Sequence, residues 1–195
     1  ASNTSRITFQ NHGKLQVTGD VIFQDDASVS MADETGELHF AAGGGELQNY
    51  SELSSTDPEF GIVRVDVDGL TLANNPLIVH QDGQFIFAGN HNEVLDGRTN
   101  GVQLYMRPGA TFSGYNTTAA SAAETQRYVN GQVRYYTEDA MTQYDAPVGD
   151  ATSLQFMRLD FGGNSVNSDG IAYIVMNHDN QAANTVSNNV NACGT

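Results

Sequence analysis

The spacing of the apolar runs constrains this chain more than any other feature. Through about residue 114 the runs are short, alternate apolar with polar, and are separated by Gly, Asp and Asn. They are Arg6-Ile7-Thr8-Phe9, Leu15-Gln16-Val17, Val21-Ile22-Phe23, Val29-Ser30-Met31 and Leu38-His39-Phe40, then Ile62 to Val67, Leu70-Thr71-Leu72, Leu77-Ile78-Val79, Phe85-Ile86-Phe87, Val102 to Met106 and Ala110-Thr111-Phe112. A period of two marks strands with one buried side, and the separators are turn formers. Neighbouring runs often begin roughly seven residues apart, too close for helices to intervene, which excludes a parallel α/β sheet. The predicted fold class is all-β.

Internal similarity narrows the class. Leu15 to Met31 aligns with Leu70 to Phe87 after one gap opposite Pro76, apolar on apolar throughout, and His80 to Gly89 is echoed by Tyr105 to Gly114. Strands this short with turns this regular suit a β-solenoid, whose rungs stack their apolar sides inward, or a compact antiparallel sandwich of jelly-roll type. The two better copies lie about 55 residues apart, more than the roughly 20 of one rung, and two similar hairpins would give the same signal.

Gly43-Gly44-Gly45 and the polar stretch Asn49 to Glu59 read as a surface excursion. The texture changes at Asn116. Thr118 to Val129 holds the chain's best helix formers, and the sequence predicts one short helix near 118–129, ending at Asn130-Gly131. Strand signals return at Gln132 to Thr137, Leu154 to Phe161 and Ile171 to Met176. The predicted organisation is a repeat-like β domain over 1–115, a smaller β-rich region with the helix over 116–176, and a polar Asn-rich arm or tail over 177–195.

Charge excludes several function classes. Eight Lys and Arg against 23 Asp and Glu give −15, which repels phosphate backbones and anionic lipid, so neither nucleic-acid binding nor membrane insertion is expected. No apolar run approaches the roughly 18 residues of a membrane span. Ala1 to Ser5 lacks the basic-then-apolar order of a leader. Lys14, the one lysine, sits in a strand-like run without a glycine-rich loop before it, against a Schiff base or a phosphate-loop role. An acidic, lysine-poor surface suits salty water and offers carboxylates to Ca²⁺, which points to an extracellular setting. Cys193 has no partner in the chain.

The segment Asn130-Gly131-Gln132-Val133-Arg134-Tyr135-Tyr136-Thr137-Glu138-Asp139, followed by Gln143-Tyr144-Asp145, resembles a short element recurring in bacteriophage tail-fibre and virion appendage proteins. In that element a Gly, an aliphatic residue, Arg-Tyr and a Thr precede a turn and a second strand with an aromatic. The chain differs at Tyr136, where a small polar residue is usual, and has no Trp after it. The resemblance implies a hairpin in a non-enzymatic structural part, often a homotrimer, with Arg134, Tyr135 and Tyr144 as assembly residues.

The candidate sites are few. Asp66-Val67-Asp68-Gly69 places two carboxylates on one side of a strand before a turn, and with Asp82 it forms a Ca²⁺ candidate. A solvated strand face ending in an Asp-Gly turn accounts for the same residues more plainly. The five histidines show no zinc spacing, no Gly-x-Ser-x-Gly elbow supports a triad, and Phe161 to Ser165 lacks the lysine of a phosphate cradle. For glycan cleavage, Asp66 with Asp160 or Asp169 is the available carboxylate pairing. For glycan binding, Tyr50, Tyr105, Tyr115, Tyr128, Tyr135, Tyr136 and Tyr144 are the stacking candidates. Three sequons begin at Asn3, Asn49 and Asn116.

The expectation is a non-enzymatic structural or adhesive surface protein of a virion or extracellular assembly. It would pair with copies of itself, with other structural proteins or with a surface glycan, and would use no cofactor beyond a Ca²⁺ brace. The alternatives are a secreted carbohydrate-binding module and, third, a glycan-cleaving enzyme.

Overall fold

The computed structural model describes residues 6–10, 12–24, 28–31, 35–41, 45–49, 59–90, 92–116, 126–136, 143–149, 154–160 and 173–177. It is an all-β parallel solenoid. Its strands are β1 (Arg6–Phe9), β2 (Lys14–Val17), β3 (Val21–Phe23), β4 (Ser28–Met31), β5 (Glu37–Ala41), β6 (Gly45–Asn49), β7 (Glu59–Asp66), β8 (Leu70–Asn74), β9 (Leu77–Phe87), β10 (Glu93–Asp96), β11 (Gln103–Met106), β12 (Thr111–Ser113), β13 (Arg127–Asn130), β14 (Gln132–Tyr136), β15 (Gln143–Gly149), β16 (Leu154–Asp160) and β17 (Tyr173–Asn177). One sheet stacks β3, β6, β8, β10, β13 and β15 in parallel; the other stacks β2, β5, β7, β9, β11 and β14.

Each rung contributes three strand segments. The long β9 shows why: Leu77 to Val79 pairs with β11, while Gln84 to Ile86 pairs with β12. β9 therefore bends around a corner and supplies two of the three sides. β7 bends at the matching place, where the register shifts between Phe60 and Ile62. The first side carries β1, β4, the starts of β7 and β9, β11 and β14; β1 pairs with β4, which lies against β7. The second carries β2, β5, the ends of β7 and β9, and β12. The third carries β3, β6, β8, β10, β13 and β15.

The corner between the first and second sides is tightly specified. His80 to Gly83 and Arg107 to Ala110 are four-residue turns whose third residue is left-handed, Asp82 (φ 56°) and Gly109 (φ 76°), and His12, one place before Gly13, is left-handed too (φ 63°). The fourth residue belongs to a column of Gly13, Gly36, Gly61, Gly83 and Ala110, each one place before the paired positions Lys14, Glu37, Ile62, Gln84 and Thr111. Rungs lie about 4.8 Å apart, too close for side chains here. A Cβ on Gly83 would overlap the Gly61 carbonyl oxygen and sit 2.8 Å from that of His80.

Two residues after this column come the core positions Leu15, Leu38, Val63, Phe85 and Phe112, and two further on Val17, Phe40, Val65 and Phe87. The repeat is thus Gly/Ala-x-apolar-x-apolar, recurring every 22 to 27 residues. An aromatic spine fills the interior: Phe60 contacts Phe9 and Phe23, Phe85 contacts Phe87 and Phe112, and Phe112 reaches Tyr135, which meets Tyr144 at 5.2 Å. Antiparallel β16 on β15 and β17 on β14 follow the last parallel rung.

Three expectations change. The alignment of Leu15 to Met31 with Leu70 to Phe87 matched different sides, since β2 lies on the second and β8 on the third. The echo of His80 to Gly89 in Tyr105 to Gly114 matched the right neighbours two residues out of register, because Phe112 pairs with Phe85 rather than Phe87. A slip of two keeps the same residues inward. The helix near 118–129 is not formed at its C-terminal part, since Arg127 to Val129 is strand, paired with Glu93 to Leu95. Burial of Tyr128 and Val129 against β10 outweighs local helix preference; residues 117–125 lie outside the described residues. Beyond residue 116, β13 and β14 belong to the same two sheets as the strands before it. Residues 178–195, the tail and Cys193, also lie outside.

Candidate functional site

The outer surface of the first side carries alternating arginine and tyrosine. Residues two apart on a strand share a side, so Arg134 and Tyr136 face outward while Tyr135 between them is buried at 1% exposure. Tyr105 and Arg107 lie on that same side around buried Met106, with Tyr105 itself covered. The parallel register sets Tyr105 beside Arg134, and two residues further on Arg107 lies by Tyr136. The Arg107 guanidinium lies 4.8 Å from the Tyr136 ring centre, and that of Arg134 lies 5.2 Å from both Tyr105 and Tyr136. The two rings meet edge to face at 5.8 Å. Each such cation–ring contact contributes about 0.5–1 kcal/mol when exposed and more when dry. Glu59 holds Arg107 across the intervening β9 rung, its Oε1 accepting from Nε at 2.9 Å and Nη2 at 2.6 Å.

The corner between the second and third sides holds a buried ion pair. Glu93 opens β10 two residues before core Leu95, and Arg127 opens β13 in register with it. Glu93 is 0% exposed, and Arg127 Nε lies 3.5 Å from its Oε2. The guanidinium also donates to the carbonyls of Gly89 and Gly114. Asp66 presses on the same glycine: a Cβ on Gly89 would overlap Asp66 Oδ1 and lie 2.5 Å from Glu93 Oε1. The Arg127 backbone closes a neck with Asn116, donating to Asn116 Oδ1 at 2.7 Å and accepting from its amide at 3.2 Å.

On the outer second side Glu37 links three rungs. Its Oε1 lies 3.2 Å from Lys14 Nζ and 3.0 Å from Arg64 Nε, with His39 Nδ1 at 3.9 Å. Burial alone would raise the Glu37 pKa, but hydrogen bonds from Lys14 and Arg64 bring it below its ordinary value. His39 is pushed below the usual imidazole value by burial first and by the Lys14 charge next.

The sequence-predicted residues distribute as follows. Asp66 ends β7, and the corner at Val67 to Gly69 separates it from exposed Asp68, whose Oδ1 accepts from the Asn92 amide at 3.1 Å. The two do not share a strand face. Asp82 occupies the opposite corner of the second side, packed on Gly109, its amide bound to the Pro108 carbonyl at 2.9 Å. The three aspartates are therefore not brought together, and no group of three His, Cys, Asp or Glu among the described residues is placed to hold a metal.

Of the assembly candidates, Arg134 faces out but Tyr135 and Tyr144 are core residues, 1% and 0% exposed. The expected hairpin does not form, since β14 and β15 lie in different sheets and meet through these two rings. Burial first, then the neighbouring Asp145 charge, raises the Tyr135 phenol well above its ordinary pKa, and its hydroxyl donates to the Asp145 carbonyl. Asp169 and the Asp160 side chain lie outside the description. Sequence reasoning missed Glu93, Arg127, Arg107 and Glu59. The Gly/Ala-x-apolar-x-apolar recurrence was the signal that orders successive rungs.

No protein-family model, curated protein or solved structure matches this chain. Its class rests on its own geometry: a three-sided parallel β-solenoid with ionic and arginine–tyrosine ladders along its sides and corners.

Proposed function

We propose that the protein is a non-enzymatic structural or adhesive surface protein, a subunit of an extracellular or virion assembly. The observation that carries this reading is how charged side chains are used. Glu37 joins Lys14 and Arg64, Glu59 holds Arg107, Glu93 holds Arg127, and Asp145 binds Arg158 through both oxygens at 2.8 and 2.9 Å. These pairs tie strand to strand and stiffen a rod. The Arg134-Tyr135 resemblance to virion appendage proteins points the same way, and Ca²⁺ would act only as a brace.

Molar mass by light scattering tests the reading, with and without a Ca²⁺ chelator and with residues 178–195 removed. A trimer or larger species supports it. A monomer under all three conditions overturns self-assembly. The second reading, a secreted carbohydrate-binding module, is favoured by the outward-facing Arg107, Arg134 and Tyr136, each partly exposed.

A further inference from the structure

Two charged side chains, one of each sign, take no part in holding this fold together. Each of the other described cationic side chains lies against a carboxylate or a tyrosine ring. Among the described residues Arg98 is the one cation without an ionic, hydrogen-bond or ring partner, and Asp82 is the one carboxylate without a partner. Both are exposed. Their backbones are nonetheless held. The Arg98 amide donates to the Asn130 carbonyl at 3.0 Å, its carbonyl accepts from Gly101 at 3.1 Å, and Asn100 Nδ2 ties the turn to the Leu72 carbonyl at 2.8 Å. The Asp82 amide donates to the Pro108 carbonyl at 2.9 Å, in a left-handed conformation that aspartate tolerates. Charges carried on an ordered backbone meet a partner with less loss of freedom than charges on a loose loop.

Their placement fits a second copy of the chain. Arg98 lies between β10 and β11, at the corner of the third and first sides, and Asp82 lies at the corner of the first and second sides. The two therefore flank the first side from opposite edges. Because β11 pairs with the start of β9, they belong to adjacent rungs, about 4.8 Å apart along the axis. Across the side they are separated by the strand Gln103–Met106, about 13 Å long. That exceeds the screening length of about 8 Å at physiological salt, so the two do not neutralise each other within one chain. Rotation about an axis parallel to the solenoid brings the Arg98 edge of one copy to the Asp82 edge of the next at nearly equal height. Every contact of such a ring joins opposite charges, whereas the chain's −15 otherwise drives copies apart. We propose that copies of this chain stand side by side in a closed ring with their first sides toward its axis, Arg98 of each copy pairing with Asp82 of the next.

This inference rests on the self-assembly part of the proposed function and names its contact. The test is sedimentation equilibrium of the full chain near physiological salt. Arg98→Glu sets like charges at every contact and should raise the dissociation constant at least about tenfold. Asp82→Asn, which keeps the shape and the left-handed tolerance, should raise it by about threefold. Arg98→Glu combined with Asp82→Arg reverses the pair and should return the constant to within about threefold of the original. Arg98→Glu combined with Asp20→Arg carries the same net charge but places the new cation at the corner of the second and third sides, between β2 and β3, and should stay weak. Thermal melting of each variant shows that it is folded. A chain that is monomeric up to about 1 mM overturns the proposal together with self-assembly. An oligomer indifferent to Arg98→Glu, not restored by Asp82→Arg, or restored equally by Asp20→Arg overturns the pairing and leaves self-assembly standing.

Discussion

Two corners of the solenoid solve the same problem differently. Between the first and second sides, turns such as His80–Gly83 and Arg107–Ala110 repeat one four-residue conformation, and Gly83 sits against the carbonyls of Gly61 and His80. Between the second and third sides the connections vary. Three residues suffice from Asp66 to Leu70, whereas the chain leaves at Asn116 and returns at Arg127. The first corner is set by close backbone packing, which confines one position to Gly or Ala, while its length still differs: four residues lie between Val79 and Gln84 and between Met106 and Thr111, but only Gly61 lies between Phe60 and Ile62. The second is set by side chains, with Arg127 and Glu93 bridging rungs, so insertions fit wherever a neck can be closed.

The sharpest way to break this contrast is a methyl group at the tight corner. Gly83→Ala should cost about 3 kcal/mol, because its Cβ meets two backbone carbonyls that cannot step aside. Denaturant unfolding measures it; a loss below about 1 kcal/mol would mean that the column is incidental. At the other corner, Arg127→Ala should cost about 2 kcal/mol by leaving the Glu93 carboxylate buried without its guanidinium, and Glu93→Gln in the same chain should recover part of that loss. Gly101→Ala, at a position with φ of 69° and nothing within 4 Å, should cost about 1 kcal/mol from left-handed strain alone. The difference between the two glycine variants isolates packing from backbone conformation.

Acid should act on the Glu37 ladder with a smaller effect. His39 has a lowered pKa in the folded chain, so its contribution is complete above the ordinary value of 6.5 and is lost as pH falls from there toward the folded value. Glu37, also lowered, loses its contribution below about 4.5. Melting temperature should therefore drop in two stages on acidification, and His39→Gln should remove the first. Smallest of all should be the effect of halving the segment between Asn116 and Gln126, about 0.6 kcal/mol or less, because the Asn116–Arg127 pair closes the neck and loop-closure entropy varies slowly with length.

The contrast also explains what could be read beforehand. Most strands of the first 114 residues were legible because period-two alternation is a local consequence of one buried side, and Leu38, Val63 and Phe85 fall where that pattern puts them, whereas β10 was not among the runs and β6 begins at Gly45 and ends at Asn49, residues expected in a surface excursion. Rung register was harder to read. Variable corners spread the spacing between paired positions, so a similarity search across 55 residues matched strands of different sides. At Arg127 to Val129 local preference pointed to helix, and pairing with β10 decided for strand.

The amino-acid sequence by itself determined an all-β chain, its inward residues, its acidity and its glycine corners, because these follow from local sterics and side-chain hydration. Tertiary structure alone decided that Tyr105 would meet Arg134, that Glu93 would be buried against Arg127, and that Asp82 would stand at the far corner from Asp66. Those outcomes depend on which rung lies above which. That order is fixed by the summed packing of the whole stack, and no single segment encodes it.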